Sequence, residues 1–171
     1  MSTALFLSMR VVHVLLAGIW IGATVFTSML LMPAIEDAGP AGGQIMMSLD
    51  RKGIATFFAV MGGVTTLTGI YLYWHFTGGF DPEISRSHAG LAFGIGGVAG
   101  LLAVILGGAV VARTSKKVVA LIGQITKAPD AQKAALLLEA AGLRERMKTF
   151  GMVVLLLQVV ALVLMAIGHY I

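Results

Sequence analysis

A chain of 171 residues with 58% apolar and only 12% charged side chains lacks the polar surface of a soluble domain, where charged residues make up about 25%. Its mean hydropathy of +0.94 and long apolar runs exclude disordered and fibrous chains, and the absence of cysteine excludes disulfides, zinc-thiolate sites and iron–sulfur clusters. The net charge of +4 does not indicate a nucleic-acid partner, because the basic residues gather in one segment, as membrane topology requires.

Four stretches are long enough to cross a hydrocarbon core of about 30 Å as helices: residues 11–32, ending at Pro33, then 54–74, 89–112 and 150–168. None alternates with a period of two, which argues against a barrel. The first is too long for a signal-peptide core, carries Arg10 and His13 early and is followed by no small-x-small site, so it reads as a retained span. The fold class is therefore an all-α, integral membrane four-helix bundle forming a single transmembrane domain.

Orientation follows from the cations. The segment 113–149 between spans three and four holds Arg113, Lys116, Lys117, Lys127, Lys133, Arg144, Arg146 and Lys148, which is 8 of the 12 basic residues. The positive-inside rule makes it cytoplasmic. The chain then runs N-out and C-out across a bacterial-type inner membrane, with the loop 36–52 also inside. Span three is expected to continue into the cytoplasm as a helix. Pro129 and Asp130 start another that runs to Lys148, with Ala134, Leu137, Leu138 and Leu143 on one side. The pair reads as a hairpin capping the bundle.

Glycines recur at four-residue spacing inside the spans, as Gly18 and Gly22, Gly90 and Gly94, and Gly96 and Gly100. Such spacing lets helix backbones approach closely; it equally leaves room for a flat cofactor.

In this topology all four histidines fall in the outer half, each from a different helix: His13, His75, His88 and His169. His75 follows Tyr71, Tyr73 and Trp74, and His169 precedes Tyr170, so both suit an interfacial aromatic belt. His13 lies within an apolar run, where a polar ring is costly without a partner or ligand. In an up-down bundle spans one and three are diagonal, as are two and four. His13 with His88 is then the leading axial pair for an iron, and His75 with His169 is second. Both pairs lie at one depth, which suits a single outer haem b, or a histidine-rich copper site, better than two stacked haems. Trp20, on the same face as His13, is placed to line the same cavity, and Arg10 to pair with a haem propionate or to snorkel to headgroups. The ten methionines invite a copper reading, but most lie toward the inner side; Met9 and Met165 are the exceptions.

The run Met9-Arg10-Val11-Val12-His13, then Trp20-Ile21-Gly22 and Pro33, resembles the first span of the small membrane proteins that include the copper-resistance D family and the HemJ-type protoporphyrinogen oxidases. Arg51-Lys52-Gly53-Ile54 and Gly69-Ile70-Tyr71-Leu72 are also similar to that group. The resemblance implies a haem b ligand at the position of His13. Those oxidases carry an essential lysine at the start of span three, where this chain has His88, and the tyrosine-leucine-proline-arginine run that follows their first-span tryptophan is replaced by Met29-Leu30-Leu31-Met32-Pro33.

The function expected from these residues is electron transfer by one b-type haem between a membrane carrier such as quinone and a redox partner. A copper transport or resistance protein using the outer histidines is the alternative. An accessory subunit of a larger membrane complex is a third reading.

Overall fold

The computed structural model describes residues 3–171, and every regular element among them is helical. Four helices are long and apolar enough to cross a membrane. They make this a multi-pass membrane protein whose surroundings are a lipid bilayer.

Helix α1 (Thr3–Phe26) does not stop at Pro33 as expected. It passes through a π-helical turn, Thr27–Leu31, into α2 (Met32–Asp37), a run of 35 residues. In the widened turn the Met32 N–H reaches the Thr27 carbonyl, five residues back. Pro33 then falls in the first turn of α2, where a missing N–H is tolerated. The segment expected as a loop also contains a helix, α3 (Pro40–Arg51), entered through Gly39 at φ +54° and left through Gly53 at φ +79°. These left-handed corners favour glycine.

Helix α4 (Ile54–Phe76) is the second span. A short α5 (Pro82–Ser85), capped by the Asp81 carboxylate accepting from the Glu83 and Ile84 amides, turns the chain into α6 (His88–Leu106). Ser87 caps α6, its Oγ accepting from Gly90 N at 3.1 Å. After a second π-helical turn, Gly107–Ala112, the helix continues as α7 (Arg113–Ile125).

The expected break near Lys148 is absent. Helix α8 runs without interruption from Asp130 to Ile167, 38 residues or about 57 Å at 1.5 Å per residue. Nothing at this junction is stronger than Gly151 as a helix breaker, and glycine costs only about 1 kcal/mol in a helix. Of the face expected to pack, only Leu143 lies against the core. Leu137 and Leu138 are exposed, whereas Ala140, Met147 and Val154 are buried. Their seven-residue spacing carries one seam from the hairpin with α7 into the span.

Helix α1 packs on α4, α4 on α6, α6 on α8 and α8 on α1, while α1 and α6 do not meet among the described residues, nor do α4 and α8. The diagonals are those of an up-down bundle. One core cluster joins Trp20, Ala103 and Val154 at mid-bundle, and another joins Ile35, Met46, Val118 and Met147 at the end that carries the α7–α8 hairpin. Outward faces carry exposed apolar residues such as Leu15, Leu67 and Leu156, which lipid accepts without penalty.

Candidate cofactor cavity

At the end of the bundle where α1 and α6 begin and α4 and α8 finish, the four helices line a half-open cavity of about 760 Å³. Arg10, His13, Trp20 and His169 all line it; His75 and His88 do not.

His13 is buried. Its Nδ1 lies 2.8 Å from the Thr65 backbone carbonyl and 3.2 Å from Thr68 Oγ1 on α4. A carbonyl only accepts, so Nδ1 carries the proton and donates, which leaves Nε2 with a free lone pair. Nε2 has no protein partner among the described residues and is not a buried orphan; it opens on the cavity that the ring lines. The Thr68 hydroxyl is itself held, donating toward the Val64 and Thr65 carbonyls at 2.8 and 3.0 Å. The ring can approach α4 this closely because position 69 is glycine: a Cβ there would stand 2.8 Å from His13 Cε1.

His169 and Arg10 meet at the mouth. Arg10 Nη2 donates to His169 Nε2 at 3.2 Å, tying α1 to the end of α8, and the His169 ring stands edge-on to Phe93 with centroids 5.0 Å apart. His75 is exposed, with its ring 4.6 Å from that of Phe6 and 6.4 Å from that of Tyr71. This is the setting of an interfacial belt residue. His88 is the exposed first residue of α6. Among the described residues no three His, Asp or Glu side chains gather as a metal-binding group.

Two polar groups in the cavity wall were not singled out from the sequence. Gln158, only 1% exposed, has neither its Oε1 nor its Nε2 hydrogen-bonded, and the Thr65 hydroxyl is likewise without a partner. Gln158 is the lone amide in the apolar stretch 150–168, and that isolation was the available signal. Trp20 forms the floor. It lines both this cavity and a smaller one below it, with its ring pressed against Gly62, where a Cβ would lie 3.0 Å from Trp20 Cζ2.

No family model, curated protein or solved structure matches the chain.

Proposed function

We propose that this protein holds one b-type haem in the outer cavity and passes electrons between a membrane carrier such as quinone and a redox partner. The observation that carries the reading is the His13 ring, buried, fixed in one tautomer by the Thr65 carbonyl and opening its other nitrogen on a cavity of about 760 Å³. Histidines that ligate metals are commonly oriented in this way, by a hydrogen bond from the second ring nitrogen. The volume lies within the usual range of about 300–1,000 Å³ for cofactor and ligand sites.

The residues present fit the group. His13 supplies an iron ligand through Nε2. Arg10, at the mouth, offers a guanidinium to a propionate. Gly97 and Gly100 line the cavity with nothing within 4 Å of where a Cβ would stand, which leaves that wall open to a flat ring. His169 is the second histidine in the lining, and it, rather than His88, would be the other residue to hold the iron. Were His169 to hold the iron through Nε2, that nitrogen would no longer accept from Arg10, and the guanidinium would be available to a propionate. Bound haem supplies a reversible one-electron iron couple; the chain supplies ligation, orientation and a dry site. A tetrapyrrole brings four of its own nitrogens, so one or two protein ligands suffice. Copper without a macrocycle needs more donors than the cavity's His13, His169 and Met165 readily converge. The likeness of the first span to the copper-resistance D and HemJ-type group supports the same assignment for His13.

The test is a reduced-minus-oxidised spectrum of the protein purified after expression with haem precursor. Soret and α bands in the parent, lost in His13→Ala and retained in His75→Ala, are expected. A parent without these bands, or a His13→Ala variant that keeps them unchanged, overturns the proposal.

A further inference from the structure

The inner half of the bundle contains a second cavity of about 280 Å³, separated from the first by Trp20. Its upper walls are apolar, formed by Trp20, Phe58, Val104 and Val154, while Glu36, Ser115, Arg144 and Lys148 line its inner end. The cavity is thus amphipathic along its length. Its polar end lies on the side of the eight-cation segment, which is the cytoplasmic side by the positive-inside rule.

Both π-helical turns of the chain line this cavity, Ser28 coming from the first and Gly108 from the second. Such turns occur frequently at functional sites, because the extra residue widens the helix. Space is also left by Gly151, where a Cβ would meet only Ser28 Oγ, at 3.6 Å.

Arg144 is incompletely satisfied. Its Nε is buried without a hydrogen-bond partner. Glu36 does not neutralise it: the one ion pair among the described residues is Lys133 with Asp130. Lys148 stands one turn further along α8 and lines the same space. Two cations against one carboxylate leave a net single positive charge at the rim. A buried guanidinium N–H without an acceptor is costly, and the guanidinium fork matches the oxygens of a phosphate as it does those of a carboxylate. Basic pockets between spans at the cytoplasmic face are a recognised way of binding anionic lipid headgroups.

We propose that this inner cavity binds a phosphate-bearing amphiphile, with its anionic head on Arg144 and Lys148 and its apolar part against Phe58, Val154 and Trp20. The net single charge matches a phosphodiester monoanion, as in an anionic phospholipid, better than a dianionic free phosphate. The site is independent of what fills the outer cavity.

The experiment reconstitutes the full chain in vesicles of phosphatidylcholine with phosphatidylglycerol, re-extracts it into detergent and counts retained lipids by native mass spectrometry. The parent is expected to keep one phosphatidylglycerol, and Arg144→Gln to lower that retention about tenfold, the scale of one charge-assisted hydrogen bond. Gly151→Leu fills the cavity without changing charge and is expected to lose the lipid as well. Arg146→Gln, exposed and outside the lining, is expected to keep it. If Arg144→Gln does not fold, as judged by helix content and gel filtration, Arg144→Lys and Gly151→Leu carry the comparison, the first retaining lipid and the second losing it. Inorganic phosphate is added to lipid-free protein in a parallel arm. Thermal stabilisation of the parent but not of the Arg144 variant would support the anion site and identify free phosphate as its source. Equal phosphatidylglycerol retention in parent, Arg144→Gln and Gly151→Leu, without phosphate stabilisation, overturns the proposal. An equal loss in Arg146→Gln does so too, since it would mean diffuse surface charge.

Discussion

His13 on α1 and Thr65 on α4 are joined by a 2.8 Å hydrogen bond from a ring nitrogen to a backbone carbonyl, and Gly69, one turn further along α4, leaves the space in which the ring sits. The bond satisfies a polar ring inside the bilayer and determines which nitrogen opens on the cavity.

Gly69→Ala should disturb this joint directly. Its methyl group would lie 2.8 Å from His13 Cε1, so the ring or the helix must move, at a cost of about 1–3 kcal/mol. Gly63→Ala, where a Cβ meets nothing within 4 Å, is the control. Unfolding in mixed micelles titrated with dodecyl sulfate should place Gly69→Ala well below the parent and Gly63→Ala at or slightly above it.

The axial assignment can be read by electron paramagnetic resonance at low temperature. If haem fills the cavity as proposed, His169→Met should change its ligand field, whereas His88→Met, at the exposed first residue of α6, should leave it as in the parent. The reverse pattern would return the second ligand to the diagonal span.

Gln158→Leu should stabilise the protein. The amide is 1% exposed with both polar atoms unpaired, and replacing an unsatisfied buried group by an apolar one of similar size recovers about 1–3 kcal/mol. A higher unfolding midpoint in the same titration is the expected result; a lower one would mean that the amide is bonded in the membrane.

Trp20 separates cavities of about 760 and 280 Å³. Trp20→Ala should join them, cost about 3–5 kcal/mol and let protons leak through the bundle, as followed by a pH-sensitive dye trapped in proteoliposomes. Trp20→Phe should remain tight, because a ring still covers the opening.

Topology is open to a direct check. A reporter fused after Ile171 should behave as periplasmic if the eight basic residues of the segment before the last span keep it inside, as the positive-inside rule predicts. A cytoplasmic signal there would reverse the bundle.

The sequence by itself determined the class, the four helices and the suspicion attached to His13. Lipid offers no partner for backbone polar groups, so runs of this length and hydropathy have helix as their stable form, and a histidine within such a run needs a reason. Continuity was legible only in part. A π-helical turn carries α1 past Pro33, which no residue of the segment signals, whereas the absence of a breaker in α8 near Lys148 was written in the sequence and went unread. The sequence likewise put four histidines near one end of the bundle, but which of them share a cavity depends on how each helix is turned about its axis. Rotation is decided by close approach, here by Gly69 under His13 and Gly62 under Trp20. The packed bundle brings Arg10, His13, Trp20 and His169 to one cavity and leaves His75 and His88 outside it, because the direction of a side chain is a property of the packed bundle rather than of its own helix.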